Sequence, residues 1–195
     1  LYGLPICWNE NNQLSADLIN IYIKNQTVDY MHGIGNGLMV KQDGQNEYNQ
    51  MAGKEMLAYV RNEDVYLVDV QGNAETVFYP KEDDGSYVGV NRTQSSFVKV
   101  YLNERKIDHV LFTTATTGVL IPMDQALPEE TKLNGFFWAE AERPKQAKDI
   151  FLHPERTKRP EAKAISASAE DEEEESEVKG RAKSKQRLND KKQIR

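Results

Sequence analysis

Cysteine is almost absent from this chain. The one thiol, Cys7, excludes an internal disulfide framework and a cysteine-ligated zinc site, and it is silent on compartment. Histidine is nearly as sparse. His32, His109 and His153 stand far apart and form no His-x-x-x-His pair, so no metal site is expected from them. No run approaches the roughly 18 apolar residues that mark a membrane-spanning helix. The chain opens on Leu1-Tyr2-Gly3-Leu4-Pro5, with neither an initiator methionine nor a signal peptide, and reads as a piece of a longer protein.

Catalytic signatures are missing as well. There is no Gly-x-Ser-x-Gly nucleophile elbow. The stretch Gly33-Ile34-Gly35-Asn36-Gly37 lacks the lysine of a phosphate-binding loop and reads as a turn between strands. Asp83-Asp84-Gly85 is not followed by EF-hand spacing. Asp29, Asp69 and Asp108 recur near corresponding positions, but no second carboxylate set pairs with them for glycoside hydrolysis. Neither enzymatic activity nor a cofactor is expected.

Basic charge is short where a nucleic-acid binder would need it. The chain carries a net −6, and residues 154–195 hold twelve Lys/Arg against ten Asp/Glu, so residues 1–153 carry −8. Phosphate backbones select a basic surface, so nucleic acid is not the expected partner. Beyond Pro154 apolar residues thin out, residues 170–177 read EDEEEESE, and residues 178–195 hold eight Lys/Arg. Such a segment buries too little apolar surface to offset its chain entropy. The expected division is a domain over residues 1–151 and a charged tail, disordered or marginally helical, over 152–195.

What the chain does have is a repeat. A shift of 37 lays Gln13 on Gln50, Tyr22 on Tyr59, Asn25 on Asn62, Val28 on Val65 and Gly35-Asn36 on Gly72-Asn73. A further shift of 42 lays Tyr59 on Tyr101 and Val65 on Ile107. Spacing kept over so many positions indicates one supersecondary unit used three times. Within it Ile19, Ile21 and Ile23 fall on Met56, Ala58 and Val60, then on Val98, Val100 and Leu102. All are apolar at every second position, which predicts strands with these side chains inward. Tyr22, Tyr59 and Tyr101 fall on the opposite face. An aspartate at position 21 is therefore expected to cost several kcal/mol as an unpaired buried carboxylate.

Polar residues interrupt each strand at Lys24-Asn25-Gln26, Arg61-Asn62-Glu63-Asp64 and Asn103-Glu104-Arg105, and predict tight turns. A second β-rich run follows each: Val28–Met31, Val65–Val70 and Ile107–Phe112. Gly33, Gly35-Asn36-Gly37 and Gly72-Asn73 are expected to mark the next turns, since glycine and asparagine tolerate positive φ. His109 falls on Tyr30 and Leu67, a structural slot. Before the repeat, Pro5–Trp8 reads as a strand end and Asn9–Asn12 as a turn. Residues 41–49 and 80–90 read as loops, and 113–123 ends the third unit. Asp124–Lys132 is expected to form a short helical turn, and Leu133-Asn134-Gly135-Phe136-Phe137-Trp138 a core plug or last strand. A one-sided apolar face of this kind has two uses: it closes as a core, or stays open as a trough for acyl chains.

The recurring phrases Asn12-Gln13-Leu14-Ser15-Ala16-Asp17, Asn49-Gln50-Met51-Ala52-Gly53-Lys54 and Gly72-Asn73-Ala74 resemble the OstA/LptA family of lipopolysaccharide transport, in its Bacteroidetes-type OstA-like form. Val90–Thr93, Gly118–Pro122 and Leu133–Trp138 extend the likeness over residues 1–151. The resemblance implies an all-β, elongated antiparallel β-jellyroll built from hairpin rungs. It implies an apolar trough, lined by the nine inward residues, for the acyl chains of lipopolysaccharide (lipid A). It also implies edge-strand pairing with other Lpt-type jellyroll domains, end-to-end homo-oligomers, and a periplasmic, outer-membrane-associated location. The competing expectation is a structural β-sandwich module that scaffolds envelope proteins.

Overall fold

Pairs of left-handed residues lay out the chain. The computed structural model describes residues 1–146, 148 and 149, so the expected tail at 152–195 lies outside the described residues. Asn25 and Gln26 have φ of 51° and 65°, Asn62 and Glu63 52° and 67°, Glu104 and Arg105 49° and 64°. Positive φ at both central residues makes a two-residue turn whose twist matches that of paired strands. Each pair closes a hairpin. The first joins β3 (Leu18–Lys24) to β4 (Thr27–Gln42), the second β5 (Tyr48–Arg61) to β6 (Asp64–Phe78), the third β7 (Gly89–Asn103) to β8 (Lys106–Thr113). Asp29, Tyr66 and Asp108 are each skipped by the ladder just after the turn, a bulge repeated in all three copies.

The glycine–asparagine pairs expected as the next turns are not turns. They sit inside β4 and β6, which run on past them to Gln42 and Phe78. Gly35 (φ 72°) and Asn36 (48°) together oppose Lys54, and Gly72 (74°) and Asn73 (52°) together oppose Ser96. Two residues against one is a β-bulge, which bends the strand without ending it. A left-handed pair serves either purpose, and the partner strand that continues alongside decides between them. The third copy bends at Thr114 (65°) and Ala115 (46°), between β8 and β9 (Thr117–Pro122). Strand β9 lies in the stretch read only as the end of the third unit.

The bends fold one open antiparallel sheet of nine strands into a jellyroll-like pair of layers. Its order is β1-β2-β4-β5-β6-β7-β8, with β3 added on β4 and β9 on β7. Here β1 is Ile6–Asn9 and β2 is Asn12–Ser15. The first layer holds the three hairpins from turn to bend. The second holds β1, β2, β9 and the remaining halves of β4 to β7. The layers face one another, because Leu14, Met39, Met51 and Ala74 of the second pack in one cluster with Ile19, Met56, Val68, Val70, Val98 and Val100 of the first.

The second layer is packed on its outer side too. Leu133, Phe137 and Ala139 are buried there against Leu38, Val40, Val77, Tyr79 and Val90. Of the two expectations for Leu133–Trp138, the plug is found and the strand is not. Asp124–Lys132 forms separate turns instead of a helical one, with Gln125 N–H on Pro122 O (3.0 Å) and Glu130 N–H on Leu127 O (2.9 Å). The strands also reach into the expected loops, which shrink to 43–47 and 79–88.

Candidate functional site

The hairpin register gathers the nine inward residues onto one face. Ile19, Gly33, Met56, Val70, Val98 and Phe112 are consecutive cross-strand partners, and so are Ile21, Met31, Ala58, Val68, Val100 and Val110. Nearer the turns come the pairs Ile23–Val28, Val60–Val65 and Leu102–Ile107. Gly33 fits this row because a side chain there would meet the Ala16 Cβ at 3.2 Å, where the second layer comes close.

Depth along this face is uneven. Ile19, Met56, Ala58 and Val98 are fully buried and Val100 nearly so; Val60 and Leu102 are half-buried. Ile21 and Ile23 are 40% and 71% exposed, and Val28, Ile107 and Val110 on the same face are also open to solvent. The second layer seals the centre of the face and leaves both flanks uncovered. One flank is β3 with the start of β4, the other is β8. Ile21 faces inward, as the alternation predicts, but lies at a sheet edge, so an aspartate there keeps contact with water.

The opposite face of the first layer carries a cross-strand row of Tyr22, Tyr30, Tyr59, Leu67, Tyr101 and His109. Tyr22 and Tyr30 stack at 4.2 Å, and Tyr101 and His109 at 4.3 Å. The three repeat tyrosines therefore stand outward together, and His109 does occupy the slot of Tyr30 and Leu67. Next to this row His32 meets Glu55 at 2.8 Å, and the buried Asp69 meets Lys99 at 3.4 Å. Asp69 stands well inside the ladder, whereas Asp29 and Asp108 hold bulges, so the three aspartates share no site. Among the described residues no group of three His, Cys, Asp or Glu side chains could hold a metal ion.

A further set of residues gives the repeat a second meaning. Gln13, Val40, Gln50, Val77 and Arg92 form one row across the outer face of the second layer. Gln13 donates from Nε2 to Phe137 O (3.0 Å) and accepts from Ala139 N–H (2.8 Å). Gln50 donates to Thr131 O (2.9 Å) and accepts from Leu133 N–H (2.8 Å). Arg92 Nη1 donates to the carbonyls of Glu129, Glu130 and Lys132 at 3.0–3.1 Å. Residue 92 falls at the Gln50 position in the third copy. Each copy thus contributes one side chain that clamps the backbone of residues 129–139 as it crosses the strands. The match of Gln13 with Gln50 is visible in the sequence, but its purpose is not.

Protein-family models, curated proteins and solved structures were compared with the chain. None matches it. The candidate site is the set of residues described above. They form an apolar face sealed at its centre and open along two flanks.

Proposed function

We propose that the chain is a lipid-conduit domain that shields acyl chains of lipopolysaccharide on their way to the outer membrane, as its resemblance to OstA/LptA proteins implies. The observation that supports this is the apolar inner face running past its seal to Ile21, Ile23, Val28, Ile107 and Val110. An acyl chain laid there removes apolar surface from water at about 0.8 kcal/mol per CH₂, while sugars and phosphates remain outside. The domain works in the periplasm, beside the outer membrane. The edges of β3 and β8 join other Lpt-type jellyroll domains, or further copies of this chain end to end, by strand addition. Without a partner such edges are a liability.

A second reading is favoured by the sealed centre, where Ile19, Met56, Ala58 and Val98 are fully buried. On that reading the fold is a packed scaffold for envelope proteins. Photo-crosslinking in cells separates the two. A photoreactive residue at position 23 should give a lipopolysaccharide adduct, and one at position 22, on the other face of the same strand, should not. Adducts with protein alone at position 23, or equal lipid labelling at both, would remove the conduit.

A further inference from the structure

The two layers meet again at the end away from the bends. Glu10 (φ 49°) sits in the turn between β1 and β2, on the second layer. Arg105 sits in the β7–β8 turn and Asp64 opens β6, both on the first. Arg105 donates from Nε to Asp64 Oδ1 at 2.7 Å and from Nη1 to Glu10 Oε1. One guanidinium thus ties the far ends of the layers together. The repeat places Gln26 and Glu63 at the corresponding turn position in the first and second copies, so arginine appears only in the third.

Three features make this tie a closure that can open. All three side chains are solvent-exposed, at 60%, 59% and 41%. Ion pairs of that kind contribute only about 0–1 kcal/mol, and salt screens them. The layers are continuous at the bends, where paired left-handed residues bend the strands. Cys7, Val65 and Leu102 are half-buried at the margin of the central cluster. They lie on the strands that Arg105, Glu10 and Asp64 join or flank, and β8, which leaves the Arg105 turn, exposes Ile107 and Val110.

We propose that Arg105 latches the apolar interior, holding the far ends of the layers together through Glu10 while Asp64 on its own layer orients the guanidinium, and that its release admits an acyl chain from the β8 flank. The acyl chain as occupant rests on the lipid-conduit reading above; the latch itself rests on the geometry.

Cys7 is the chain's one thiol and a built-in reporter. It packs half-buried against the central cluster, and burial pushes its thiol above the ordinary 9.0, so alkylation speeds up when the layers part. Iodoacetamide labelling is followed for the unaltered protein, Arg105→Gln, Glu10→Gln and Lys81→Gln. The last breaks a separate ion pair, with Asp43 at 2.7 Å. At low salt Arg105→Gln and Glu10→Gln should label roughly twofold to fivefold faster than the unaltered protein, the latch being a weak surface pair. Lys81→Gln should not differ from it. In about 1 M salt, where screening acts within about 3 Å, the unaltered protein should approach the Arg105→Gln rate. Unchanged emission from Trp8 and Trp138 would show that β1 stays docked. Equal labelling of Arg105→Gln and the unaltered protein at low salt, or equal acceleration in Lys81→Gln, would overturn the latch.

Uptake of the fluorescent fatty acid cis-parinaric acid tests admission. Faster uptake by Arg105→Gln is expected, and faster labelling with unchanged uptake would overturn the gating role. If neither protein binds the fatty acid while labelling still accelerates, the latch stands and the lipid reading falls.

Discussion

Replacing Gln13 by leucine tests whether the clamp on residues 129–139 holds the second layer together. The Gln13 side chain is fully buried and makes both of its bonds to backbone more than 120 positions away, on Phe137 O and Ala139 N–H. Leucine keeps much of the volume and removes both partners. A buried backbone group left unpaired costs about 1–3 kcal/mol, so two of them come to about 2–6 kcal/mol. The apolar gain from leucine recovers some of this, leaving a net loss of about 3 kcal/mol. That is a large share of the roughly 5–15 kcal/mol by which domains are stable. Urea unfolding measures it as a fall in midpoint at constant slope.

Tryptophan emission shows which route the loss takes. The chain's two tryptophans, Trp8 and Trp138, meet edge to face at 5.0 Å, and Trp138 belongs to the clamped segment. If the segment undocks to regain hydrogen bonds from water, emission changes at lower urea than the β-sheet circular dichroism. If it stays docked, the two transitions coincide at the lowered midpoint. A loss under about 0.5 kcal/mol, the scatter of ordinary surface substitutions, with unaltered emission would show that the amide clamp does not hold the plug.

Position along the strand should matter as much as the face it occupies. Ile19→Asp buries an unpaired carboxylate at a fully buried site and should cost at least about 4 kcal/mol or abolish folding, whereas Ile21→Asp, 40% exposed, should cost no more than about 2 kcal/mol; equal losses in thermal melts would contradict the depth assigned to them. Above neutrality, the contact between the loops at 43–47 and 79–88 should weaken only in alkali. The hydrogen bond that Lys81 donates to the Asp43 carboxylate raises Lys81 above the ordinary 10.5, and burial raises Tyr79 and Tyr87 above 10.0. Groups raised on folding stabilise fully below their unfolded values and lose that contribution as pH climbs through the folded ones. Melting temperature should therefore hold through neutrality and fall only above about pH 10, in parallel with tyrosinate absorbance; a fall already complete at about pH 8 would mean that other groups control these loops.

The sequence pattern carried the face but not the depth. Alternation at Ile19, Ile21 and Ile23, repeated at Met56 and Val98, fixes which side chains share a side, and the register agrees throughout. Turn chemistry at Asn25-Gln26 and Asn62-Glu63 was equally legible, because a left-handed pair is a local property. The bends were not. Gly35-Asn36 has the same local signature as a turn and becomes a bulge only because β5 continues beside it. Thr114-Ala115 makes the third bend with residues that carry no signal at all. Strand β9 was hidden for a related reason: Val119, Leu120 and Ile121 are consecutive apolar residues and show no alternation.

Repetition also invites treating the three copies alike, and the stack does not. The second copy lies in the middle of the sheet, so Met56 and Ala58 are covered from all sides and have no exposure to offer a ligand. The first copy lies at an edge, and the same alternation there leaves Ile21 and Ile23 open. In the third copy the strand that aligns with them, β7, is sealed at Val98 and Val100, and its hairpin partner β8 carries the exposure at Ile107 and Val110. Any ligand of the apolar face must therefore first meet the outermost strands. If the interior takes an acyl chain, the residues that begin the contact are the flanking Ile21, Ile23, Ile107 and Val110. The sealed five, Ile19, Met56, Ala58, Val98 and Val100, join it only when the layers part.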